Sequence, residues 1–158
     1  MHRKPLTAAV LLVFIAARGV TQEHQHGDSE KLGEVHFATS CNESAQSDFN
    51  RAVALLHSFQ FSRAIDEFNA ALQEDPTCAI AHWGIALSDW SNPFAPGQKA
   101  KAQLQLGQQS VKQGQELRAR TERERAYLAA VGKLYGDFES TPQKMRLLAY
   151  RDAMESVA

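Results

Sequence analysis

Cysteine is almost absent from this chain of 158 residues, which holds only Cys41 and Cys78. Neither lies close to the other or to a pair of histidines, so the spacing of a structural zinc site is missing. Charge of one sign is missing too, since 17 basic side chains stand against 18 acidic ones. A nucleic-acid-binding surface needs a basic excess to neutralise phosphates, and this balance gives none. No stretch alternates apolar and polar residues as a half-buried strand would. Long apolar runs are limited to one, Leu6–Ala17.

That run sits where an export signal would. His2, Arg3 and Lys4 make a basic start, the apolar stretch follows, and polar sequence resumes at Arg18. The order is that of a secretory signal peptide, and the run is too short to span about 30 Å of hydrocarbon comfortably. A core helix or a short membrane anchor is the alternative. Ala17 and Gly19 are the small residues that favour a cut near Gly19, assigning residues 1–19 to the signal and predicting a soluble periplasmic or secreted protein. No cysteine follows the run, so no lipid-anchored terminus is expected. Removing residues 1–19 takes away Arg3, Lys4 and Arg18 and no acid, leaving 14 basic against 18 acidic groups, a charge of −4. The mature part, about 139 residues, fits one compact unit.

Residues 20–41 read as a mature terminus. Its first part is polar and aperiodic, and His24 and His26 within it are two potential ligands where a metal site needs more. From Leu32 the segment becomes more apolar, with Val35 and Phe37, so it is expected to lie against the body as a cap.

From residue 42 to 158 the pattern is helical throughout. Ala45, Phe49, Ala52, Val53 and Leu56 line one helical face, with Asn42 as N-cap. Phe61, Ala64, Ile65, Phe68, Ala71 and Leu72 line a second, stopped at Asp75 because Pro76 disfavours helix at the residue before it. A third helix, about Thr77–Trp90, is apolar on nearly every side and is therefore buried. The fourth, about Lys99–Leu117, is weak: its stripe is thin, and Gly107 and Gly114 each cost about 1 kcal/mol relative to alanine. Thr121 and Glu124 form a capping box for the fifth. Thr141 as N-cap and Pro142 at the first position open the sixth, which is still helical in pattern at Val157. The expectation is all-α, six helices in three antiparallel pairs. Because the last helix has no stop signal and a helical array needs a polar end cap, a longer protein is expected.

The offsets from Ala52 to Ala64, Phe68, Ala71 and Pro76 match the 34-residue helix-turn-helix of the tetratricopeptide repeat, in which small residues let the helices approach. Such repeats build binding surfaces. Four stretches carry a closer likeness: Gly33–Cys41, Arg51–Phe59, Asp75–Ala86 and Thr121–Tyr127. On these the chain resembles exported bacterial tetratricopeptide repeat proteins over nearly all its mature length. The resemblance implies the start of an α-solenoid continuing beyond this chain, and it brings no enzymatic activity and no cofactor. It departs at His82, where that group has an aromatic residue before the tryptophan.

Two sets of residues are candidates for function. Repeat geometry turns the first helix of each pair toward a groove, so Gln46, Phe49, Val53, Leu56 and His57 from the first pair and Ile80, Trp83, Leu87 and Trp90 from the second would face it, with Phe49, Val53, His57, Trp83 and Trp90 the expected contacts of a protein or peptide. These are mostly apolar, which is unusual for a surface open to water; either a hydrophobic peptide binds there or the chain fills it. The other set is His36, Cys41, His57, Cys78 and His82. A thiol beside a histidine can be an activated nucleophile, and two cysteines with two histidines can hold zinc. The sequence shows no orienting acid or oxyanion hole, so no catalytic residue is assigned. In an exported protein with two cysteines a disulfide is the default, with free buried thiols, metal binding or catalysis as the alternatives. Cys41 precedes the first helix and Cys78 starts the third, and the first helices of successive pairs run parallel, which brings the two together.

Overall fold

The computed structural model describes residues 32–157, so residues 1–19, expected to be a signal peptide, and the stretch holding His24 and His26 lie outside the described residues. Six helices account for most of what is described: α1 Glu43–His57, α2 Phe61–Glu74, α3 Ala79–Trp90, α4 Lys101–Glu116, α5 Glu122–Tyr135 and α6 Gln143–Glu155. No strand occurs among the described residues. The pairs α1–α2, α3–α4 and α5–α6 pack together, as do α2–α3 and α4–α5. The odd-numbered helices also touch in order, α1 with α3 and α3 with α5, forming an inner row.

Local chemistry sets the boundaries. The Asn42 side chain accepts the Ala45 N–H at 2.8 Å, satisfying one of the donors that a helix start leaves free. Asp75 takes the extended conformation demanded of a residue before proline and ends α2. Its buried carboxylate then accepts from the Asn42 N–H, the Thr77 N–H and the Thr77 hydroxyl, tying together the starts of α1 and α3. These bonds, led by that of the Thr77 hydroxyl, hold its carboxyl below the ordinary carboxylate range.

α3 is buried almost all round, as its composition predicts. The two glycines of α4 differ from expectation. A Cβ on Gly107 would stand 2.1 Å from the Tyr135 ring, and one on Gly114 would stand 2.6 Å from Leu128 and 2.9 Å from His82. Their missing side chains are what let α4 close on α3 and α5, so they favour the packed state as well as weakening the isolated helix. Tyr135, fully buried, donates its hydroxyl to the Ala86 carbonyl and sets its ring edge-on to Trp90.

Three terminus assignments need correction. The Thr121 hydroxyl caps the Glu124 N–H at 3.2 Å, but the Glu124 carboxylate does not return to complete the box. It faces Ser40 instead. At α6 the cap residue is Pro142, one position later than Thr141, and the helix ends at Glu155 rather than running on through Val157.

Candidate binding face

The segment before α1 is extended and lies against the inner row of helices. Its Phe37 ring sits 5.5 Å from Phe49 of α1, 5.5 Å from Trp83 of α3 and 5.4 Å from Tyr127 of α5. The Arg123 guanidinium covers it from outside, 4.5 Å from the ring centre. One aromatic side chain from an irregular segment is thus held by one ring from each of three helices.

Polar side chains read the backbone on either side of that anchor. The Phe37 N–H donates to Asn50 Oδ1 at 3.1 Å. The Gln46 amide donates to the Phe37 carbonyl at 2.9 Å and accepts from the Thr39 N–H at 3.0 Å. Carbonyl i and N–H i+2 of an extended chain project to the same side, which is why a single amide reaches both. Farther along, Glu124 accepts the Ser40 N–H and hydroxyl, each at 2.6 Å, and Arg123 donates to the Ala38 carbonyl at 3.2 Å. A disulfide between Cys41 and Cys78, with α-carbons 4.9 Å apart, closes the arrangement beside the start of α3. We refer to residues 32–41 as the strap.

The five predicted groove residues divide into two groups. Phe49 and Trp83 form the seat of Phe37, and Val53 is buried in the same core cluster, so this part of the face is filled by the chain itself. His57 and Trp90 belong to a second, unfilled cleft of about 340 Å³. Leu56, Phe59, Phe61, Leu87, Ser91, Pro93, Phe94, Leu134, Leu147 and Tyr150 complete its largely apolar lining. Phe94 is 82 % exposed and Phe59 52 %, and their rings lie 6.5 Å apart across two turns. Phe59 also has φ +61°, a left-handed conformation that costs a bulky residue roughly 1–2 kcal/mol.

These phenylalanines are the residues that sequence reasoning missed. They stand in the gaps between the expected helices, and the available signal is a large apolar side chain where a turn ordinarily carries glycine or asparagine.

The histidines and cysteines do not gather into one cluster among the described residues. His36 is exposed beside Glu34 at 3.0 Å, and His57 is exposed at the end of α1. His82 is buried, its Nδ1 has no hydrogen-bond partner, and burial pushes its pKa below the usual imidazole value. Both sulfurs are committed to the disulfide, and no group of three potential metal-ligating side chains occurs among the described residues. No family model, curated protein or solved structure matches the chain.

Proposed function

We propose that this protein is an exported, non-enzymatic helical repeat module of tetratricopeptide type that binds a protein or peptide on the face formed by α1, α3 and α5. The observation that carries this reading is the strap. An extended peptide already occupies that face, with an aromatic anchor in a three-ring seat and its backbone read by side-chain amides. A surface that recognises main chain and one ring accepts extended segments generally, with specificity set by the anchor. The order of helix contacts, each first helix against the next, supports the solenoid arrangement. Among the described residues no helix is long and apolar enough to cross a membrane, and a disulfide is the state expected in an oxidising compartment.

The test is binding in trans. Protein beginning at Ser40, shown to be helical by circular dichroism, should bind a synthetic peptide of the sequence Leu32–Thr39. Changing Phe37 to alanine in that peptide should remove the binding. A helical protein that ignores the peptide at millimolar concentration would overturn the reading. Export is tested separately by the mass of natively expressed protein, where a terminus between Ala17 and Gln22 is expected and an intact Met1 would count against it.

A further inference from the structure

The three rings that hold Phe37 have counterparts seven residues later on their own helices. Phe49 is followed by Leu56 on α1, Trp83 by Trp90 on α3, and Tyr127 by Leu134 on α5. Seven residues are nearly two full turns, so each counterpart lies on the same face about 10.5 Å farther along its helix. All three counterparts line the unfilled cleft. The strap leads toward it: Cys41 lies at the start of α1 and Phe37 is held by Asn50, so the strap's upstream end points to the end of α1 where the cleft opens.

Two further features match. Asn50, whose side chain accepts the Phe37 N–H, has His57 as its counterpart seven residues on, exposed at the cleft. The role of outer cover, taken by Arg123 over Phe37, has a parallel in Phe59 and Phe94, which stand half-exposed or more on the turns bordering the cleft. Phe59 holds this place in a backbone conformation that glycine or asparagine would adopt with less strain, its ring edge-on to Phe61 at 5.8 Å.

We infer that the cleft between Leu56, Trp90 and Leu134 is a second seat on the strap-binding face, taking the aromatic side chain of an extended peptide from a partner protein. The inference rests on the peptide-binding reading above and adds a location and a ligand chemistry. Phe59 and Phe94 close over the incoming ring, and the His57 imidazole accepts the backbone N–H of the residue that carries it, as Asn50 does for Phe37. Most of the lining is aliphatic or aromatic, which suits a ring better than a charged side chain.

The experiment uses the intact mature protein, disulfide formed and strap in place, with a capped peptide of the sequence Glu34–Ser40 as probe. NMR titration should show saturable shifts at the Trp90 indole and at Phe94, with Trp83 unmoved. Affinity should fall about tenfold or more in Phe59→Gly and Phe94→Ser, the loss typical of a central anchor contact, and several-fold in His57→Ala. Phe59→Gly relieves the left-handed strain, so an unchanged melting temperature separates lost binding from lost folding. Three outcomes would overturn the second seat: no saturation at millimolar peptide, shifts at Trp83 in place of Trp90, or undiminished binding by both phenylalanine variants. Sedimentation with phosphatidylcholine or phosphatidylglycerol vesicles that depends on Phe94 would also overturn it, in favour of a lipid surface. The peptide-binding reading fails on a different result, the failure of strap-deleted protein to bind the strap peptide.

Discussion

Glu124 of α5 grips Ser40 with both carboxylate oxygens, one on the backbone N–H and one on the hydroxyl, across 84 residues of sequence. Glu124 is 2 % exposed, so the pair ties the strap to the third helical hairpin from inside the protein.

Replacing Glu124 with alanine leaves the Ser40 donors without their partner. The expected loss is about 1–3 kcal/mol, the cost of stranding a partly buried donor, measured by urea denaturation. Amide exchange at Phe37 and Ser40 should accelerate while exchange in α3 is little changed. Equal acceleration everywhere would show that Glu124 supports the whole fold rather than the strap.

Phe37→Ala empties a seat bounded by three rings. Stability should fall by about 1.5–3 kcal/mol, the range for burying one such side chain, and Trp83 should become accessible to acrylamide. Deleting residues 27–37 should produce the same quenching and a lower melting temperature. Unchanged quenching in both variants would mean that the strap does not cover the face in solution.

The Cys41–Cys78 bond closes a loop spanning 37 positions. Chain-entropy reasoning, in which the crosslink restricts the unfolded state, gives about 4 kcal/mol for a loop of that size. Changing both cysteines to serine should shift the denaturation midpoint accordingly. Two titratable thiols in protein purified from an oxidising compartment would show that the bond does not form.

His82 predicts a pH dependence. Burial disfavours its charged form, so the folded protein keeps it neutral while the unfolded chain protonates below an ordinary pKa of about 6.5. The unfolded state then binds more protons, and stability is lost as pH falls through that value and on to the lower pKa of the folded state. Urea midpoints between pH 7.5 and 5 should show this decline, and His82→Phe should flatten it. The same slope in both proteins would assign it to other groups.

The six helices were legible because apolar periodicity and the Asn42 and Pro76 signals depend on near neighbours in sequence. The Phe37 cover was legible in part, since Leu32, Val35 and Phe37 are apolar side chains in a segment that no helix claims. Its polar clamps were not. Gln46 is expected on the groove face, but nothing in the sequence pairs it or Asn50 with the backbone of the strap, and Glu124 stands where a capping box would use it locally; only the fold places Ser40 within its reach. The cost assigned to Gly107 and Gly114 was read from the isolated helix, whereas their contacts with Tyr135 and Leu128 belong to tertiary packing. His57 and Trp90, expected on the groove face, line the open cleft, whereas Phe59 and Phe94 stand between helices, where apolar periodicity gives no signal.

Helical hairpins stacked in a row ordinarily communicate only with the next in line, so such a row can fray from either end while its middle persists. The strap changes that wiring. Ten residues touch Gln46 and Asn50 on the first hairpin, Trp83 on the second and Glu124 on the third. Opening any one hairpin therefore disturbs an element shared by the other two, and the row gains the all-or-none melting of a globular domain. The same wiring slows its assembly, because contacts across more than eighty residues must close before the shared element can settle.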